Sequence, residues 1–264
     1  MASEAAVERA REWLRRNRLG HIEPSALLVD RLEARRRGNR VYGGTLLAFF
    51  ALLFVASAIG NRSGSVFDPD ASEIGRLSYP VLNNVFFVIA MGVGQWYAYR
   101  AGRRLMLARS TRTAHPTAAG VARVLGTRYL AAVLVVYGGG LLLGVATALV
   151  ATRPAERTLA LTFLGSVTVL AVVSGLALAG VLRRPSVAED SDSLLVDDVL
   201  RNQDARAAVV PFPIAVALLA AIGSTPVASW LIWSFVGYAA LGSACWAAVA
   251  IACRLAHRSV RVTQ

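Results

Sequence analysis

The sequence predicts an all-α fold: a polytopic transmembrane helical bundle of about six spans in three hairpins, with amphipathic helices on the cytoplasmic side. Three observations lead there. Of 264 residues, 56% are hydrophobic and only 17% charged, where an average globular chain carries about 25% charged residues. Mean hydropathy is +0.53, and the apolar residues gather in stretches near the roughly 20 residues that cross a hydrocarbon core of about 30 Å. The charge is segregated as well. Net charge is +12, all 28 basic residues are arginine, and they cluster between the apolar stretches.

The chain opens with a cytoplasmic lead, residues 1–40. Val7, Ala10, Trp13 and Leu14 recur at helical spacing among Arg and Glu. That pattern suits an amphipathic helix on an anionic leaflet, and equally a helical lead in water beside the membrane. After Pro24, Ser25 is placed to cap a second helix running through Leu28, Leu32 and the Arg35-Arg36-Arg37 cluster.

Spans are expected at about 41–60, 80–99, 129–152, 158–182, 207–223 and 227–253, so the bundle covers 41–254 and a cytoplasmic tail covers 255–264. The first span illustrates the energetics. Its Leu46, Leu47, Phe49, Phe50, Leu52, Leu53, Phe54, Val55 and Ile59 supply roughly −3 to −5 kcal/mol of insertion free energy. A lead of this length is too long for the n-region of a cleaved signal, so the helix is expected to stay uncleaved. The fifth stretch is short and carries Pro211 and Pro213 near its start, which leaves a tilted span and a re-entrant half-helix both open. The sixth starts well, with Thr225 as N-cap and Pro226 in the first turn.

Orientation follows from the arginines. Twenty-four lie in 1–40, 100–128, 183–206 and the tail, against four on the other side: Arg62, Arg76, Arg153 and Arg157. Positive charge is retained inside, so both termini are expected in the cytoplasm of a multi-pass protein of the cell membrane. Tyr42, Trp96, Tyr97, Tyr99 and Tyr129 then fall at the inner interface, and Tyr79, Trp230 and Trp233 at the outer one. The same distribution accounts for a pI near 11.0 without nucleic acid as a partner.

Catalytic motifs are missing. The sequence has no G-x-x-x-x-G-K-[ST], no H-E-x-x-H and no G-x-S-x-G, and its histidines show no ligand spacing. No catalytic residue, cofactor or metal ligand is therefore assigned, and an enzyme is not expected. Cys245 and Cys253, about 12 Å apart on one helix, are too distant to bridge.

Three groups of residues remain as candidates. Asn83, Asn84 and Gln95 are polar positions of the second span, read first as interhelical hydrogen-bonding groups and second as a transport site. Gly94, Gly140, Gly144 and Gly175 belong to stripes of small residues that allow close helix packing. Residues 189–206 form the one acidic patch. There Asp192, Leu195, Asp197, Asp198, Leu200 and Arg201 are a candidate docking element for a cytoplasmic partner, with a solvated loop as the plainer alternative.

The lysine-free, Arg-rich composition and the segment Asp192-Ser-Leu-Leu-Val-Asp-Asp-Val-Leu-Arg201 resemble six-span integral membrane proteins of actinobacteria. Six spans behind a basic amphipathic lead also give a distant likeness to ABC export permeases, from which the short final outer turn, 223–226, departs. What the resemblance implies is a transport-associated, ABC-type accessory or permease-like component without chemistry of its own. The alternative is a non-transporting membrane scaffold or regulatory subunit. The partners expected are the lipid bilayer, a cytoplasmic protein, and further copies or subunits in an oligomer.

Overall fold

The computed structural model describes residues 3–62, 81, 84–93, 96, 120–183, 191–209 and 228–259, and among these there is no strand. The helices are α1 (Glu4–Arg16), α2 (Ala26–Arg62), α3 (Asn84–Val93), α4 (Val121–Leu125), α5 (Thr127–Val150), α6 (Pro154–Leu182), α7 (Ser191–Ala208) and α8 (Ser229–Ser259). The expected stretch 207–223 lies outside the described residues apart from its first three, and α7 already occupies two of those.

Local chemistry sets the helix ends. Helix α1 closes with Leu19 N–H donating to the Leu14 carbonyl at 2.9 Å and Arg18 N–H to the Arg15 carbonyl at 3.2 Å. This end requires a left-handed residue, and Arg18 supplies it at φ 64°. Ser25 caps α2 as its position predicts, its hydroxyl accepting from Leu28 N–H at 3.2 Å. Gly126, at φ 81°, breaks the chain between α4 and α5 in a conformation that costs a side-chain-bearing residue dearly. Pro154 opens α6, where a missing N–H is harmless.

Helix α2 crosses the boundary at 40/41 without a break. Its 37 residues measure about 55 Å, well beyond the hydrocarbon thickness. The lead and the first apolar stretch are thus one rod.

Two layers result. In the first, α2, α3, α5, α6 and α8 share an apolar core around Phe49, Phe87, Met91, Phe163, Leu170 and Phe235. Phe163 stacks at 4.8 Å from Phe235 and meets Tyr238 edge-on at 5.8 Å. Tyr42 donates to Met91 Sδ at 3.2 Å, and Phe49 meets Phe87 at 5.5 Å. As the chain rises along α2 it falls along α3, so those two helices are antiparallel. Helices α5 and α6, joined by residues 151–153, pack against each other, and α5 also packs on α8.

The second layer is a cap at one end of the bundle. Helix α1, the first turns of α2, and α7 bury Ala10, Leu14, Leu28, Val29, Val196 and Leu200 together. The apolar face of α1 is therefore covered by protein. Ala6, Ala10 and Leu14 are buried, and Trp13 is packed against the same cluster.

Three helical segments, Thr127–Val150, Pro154–Leu182 and Ser229–Ile251, are long and apolar enough to cross a membrane. Their apolar side chains do not all turn inward. Only 28%, 39% and 22% of the respective apolar windows is buried, and Leu142, Leu149, Leu176, Trp233, Trp246 and Ile251 are exposed. A soluble protein rarely shows so much apolar surface, whereas lipid accepts it.

Candidate functional site

The densest polar arrangement joins α2 to α7 inside the cap. Arg31 and Arg35 stand one turn apart on α2, and Asp197, Arg201 and Asp204 follow one face of α7. Arg31 Nη1 donates to Asp197 Oδ1 at 2.7 Å, and Arg201 Nη2 stands 3.6 Å from Asp197 Oδ2. All three side chains are nearly removed from water, at 10%, 6% and 7% exposure for Arg31, Asp197 and Arg201. One buried carboxylate thus holds two buried guanidinium groups, an arrangement that collapses if its centre is removed.

Arg35 extends the contact. Its guanidinium donates to Asp204 Oδ1 at 2.6 Å and 3.0 Å, to Gln203 Oε1 at 3.0 Å and to the Leu200 carbonyl at 2.6 Å. Gln203 in turn donates to Asn17 Oδ1 at 3.0 Å, and Asn17 donates to the Trp13 carbonyl at 2.8 Å. The network therefore reaches α1 through α7. Arg9 closes the remaining side with a 2.6 Å bond to Glu33. That bond holds the Glu33 carboxyl below the usual carboxylate range, against a smaller opposing effect of desolvation, and the charges of Arg9, Arg36 and Arg37 add to the lowering.

The bundle holds a second, sparser set of polar groups. Asn84 is fully buried at the start of α3. Tyr137 and Ser174 share a hydrogen bond of 3.0 Å between α5 and α6. Tyr238 donates to the Val136 carbonyl at 2.5 Å, tying α8 to α5. Glu156, only 2% exposed, accepts from Ala228 N–H at 3.3 Å just ahead of α8, with Arg153 Nε at 4.0 Å. It ties the start of α6 to the start of α8 at the end away from the cap.

The candidates read from sequence divide accordingly. Of the docking residues, Asp197, Leu200 and Arg201 are buried against the chain's own lead, while Asp192, Leu195 and Asp198 are exposed. Gly140 and Gly144 sit at close helix contacts. A Cβ on Gly140 would lie 2.6 Å from Tyr238 Oη, and one on Gly144 would lie 2.9 Å from Leu164 Cβ and 3.1 Å from its Cα. Gly175 is exposed, with nothing within 4 Å of a Cβ placed there. Asn83, Gly94 and Gln95 lie outside the described residues.

Sequence reasoning passed over Arg31 and Arg35 as partners of Asp197 and Asp204 on α7, and it passed over Glu156. The signal for the first group was present: two arginines four apart on one helix, and two acids seven apart on another, each on one face. Glu156 had no such signal, because a glutamate in a short outer turn looks solvated.

Among the described residues no group of three His, Cys, Asp or Glu side chains is placed to hold a metal ion. No family model, curated protein or solved structure matches this chain. The fold and the site together define the class: among the described residues, an all-helical arrangement with three helices long and apolar enough to cross a membrane and a charge-clamped helical cap at one end.

Proposed function

We propose that the protein is a multi-pass component of the cell membrane that acts as a scaffold or regulatory subunit, its cap forming the cytoplasmic face. The observation that supports this most is the character of the bundle interior. Among the described residues the shared core is mostly Phe, Leu, Val and Met, with Tyr137 and Tyr238 bonding internally to Ser174 and the Val136 carbonyl, and it is closed by aromatic contacts and by the glycine approach at Gly140. A substrate path needs polar, water-accessible lining, and the interior favours packing instead. About six spans, with both termini on the cap side, remains the arrangement that hydropathy and the arginine distribution favour.

A transport-associated role, ABC-type accessory or permease-like, is the second reading. Asn84 favours it, as a fully buried amide in the second apolar stretch. Thiol accessibility separates the two. In a C245A/C253A background, single cysteines at Val167 and Ser174 are exposed in intact cells to a membrane-impermeant maleimide. Under the scaffold reading both stay unlabelled until the protein is denatured. Rapid labelling at either position would replace that reading with a water-filled path. Recovery of a nucleotide-binding subunit from mild detergent would point the same way.

A further inference from the structure

Five carboxylates of the cap are engaged in ion pairs. Glu8 and Glu12 pair along α1, Glu33 with Arg9, Asp197 with Arg31 and Arg201, and Asp204 with Arg35. The charge pattern changes at the next level toward the bundle. There α4, α5, α6 and α7 meet in an apolar knot of Val124, Leu125, Val181 and Ala205, with Tyr129 and Leu182 packed on it. Four exposed arginines flank this knot in sequence, one from each helix end: Arg123, Arg128, Arg183 and Arg206. Among the described residues no carboxylate pairs with Arg123, Arg128 or Arg183. Arg206 is set in place by Tyr129, whose hydroxyl donates to its carbonyl at 2.9 Å and whose ring lies 5.8 Å from its guanidinium.

Depth supplies the next step. The exposed apolar side chains Leu134 and Leu176 begin six and seven residues along the same helices from Arg128 and Arg183. At 1.5 Å per residue that is about 10 Å, the scale of the headgroup layer plus the reach of an arginine. We propose that the exposed arginines on the helix ends at this knot bind the phosphodiester of an anionic phospholipid in the cap-side leaflet. The assignment rests on the membrane reading above. Exposed guanidinium groups on the helix ends that meet at this buried knot, beside the exposed apolar flanks of α5 and α6, suit a charged phosphate carried on acyl chains better than a phosphate free in water.

The test uses purified full-length protein reconstituted in vesicles of phosphatidylcholine alone or mixed with phosphatidylglycerol, with thermal unfolding and co-purified lipid as readouts. Phosphatidylglycerol is expected to raise the unfolding temperature and to be retained through purification. R123Q/R128Q/R183Q/R206Q is expected to lose both effects, with each arginine accounting for about fivefold of the enrichment. R11Q/R15Q/R16Q, which removes nearly as much charge from the outside of α1, is expected to keep them. Equal behaviour of wild type and the quadruple variant would overturn the proposal. So would an equal effect of inorganic phosphate added to phosphatidylcholine vesicles, which would mark a site for soluble anions. Failure to resist carbonate extraction from either vesicle would sink the membrane reading itself. Normal extraction resistance without lipid preference would sink only this site.

Discussion

The hydroxyl of Tyr238 occupies the space that a side chain at Gly140 would need: a Cβ there would lie 2.6 Å from Tyr238 Oη and 3.1 Å from Cζ. The ring cannot swing aside freely, because Phe163 meets it edge-on and its hydroxyl is bonded to Val136. Bundle packing on α5 therefore depends on two glycines one turn apart, Gly140 facing α8 and, through Val167, α6, and Gly144 facing α6.

Gly140→Ala should destabilise the protein by about 1–3 kcal/mol through overpacking. Tyr238→Phe in the same chain should return part of the loss, since it removes the nearest clashing atom. Gly144→Ala should cost a similar amount, because the backbone of Leu164 is what it meets. Gly175→Ala, with open space around it among the described residues, should be neutral or stabilising by up to about 1 kcal/mol. Thermal unfolding in detergent ranks all four, and a loss at Gly175 matching that at Gly140 would contradict this packing.

Asp197→Asn removes the carboxylate that both buried guanidinium groups, Arg31 and Arg201, face. The cost should be about 3–5 kcal/mol, concentrated in the cap. Hydrogen exchange should quicken along α1 and α7 and change little in α5 and α6. Replacing Arg31, Asp197 and Arg201 together by Met, Leu and Met should recover most of the stability, since the three buried charges are then removed together. A triple variant as weak as the single one would show that the ions themselves are needed.

Glu33 links cap stability to acid. Its carboxyl sits below the ordinary value of 4.5 in the folded state, held there first by the hydrogen bond from Arg9. A lowered folded value means that the contribution is fully present above 4.5. It fades as pH falls from there through the lowered value. Glu33→Gln should therefore be less stable than wild type at neutral pH, with the gap closing under acid. High salt should shrink the gap too, because both side chains are partly exposed. A pH-independent gap would rule out this pair as its source.

Leu52 is 70% exposed on α2, where lipid is the expected neighbour. Leu52→Arg adds about 3 kcal/mol against the roughly −3 to −5 kcal/mol that drives insertion of 41–60. A glycosylation-mapping insertion assay should register a clear fall for that segment. Undiminished insertion would argue that the segment does not span.

Much of the architecture was legible residue by residue. The helix start at Ser25 was readable from its capping chemistry, and the long apolar helices α5, α6 and α8 from uninterrupted hydropathy, although α6 begins at Pro154, ahead of the expected 158. The boundary at 40/41 was not, because a change from charged to apolar composition marks a change of solvent and leaves the hydrogen-bond ladder of α2 intact. Of the glycines on the expected small-residue stripes, Gly140 and Gly144 meet other helices, while Gly175, on an equally regular stripe, faces outward. Spacing reports that residues share a face, and only neighbouring helices decide whether the face is covered.

Solvent preference and charge placement are sums over local composition, and so α-helical content and a membrane-seeking character follow from this chain read alone. The partners of Asp197 do not. Arg31 lies 166 residues away, and a lone aspartate on an amphipathic helix looks the same whether it will face water, another protein or its own chain. The three-dimensional arrangement made that choice, laying α7 across α1 and α2. There the cost of desolvating three charges is met by the attraction among them and by the apolar surface buried alongside.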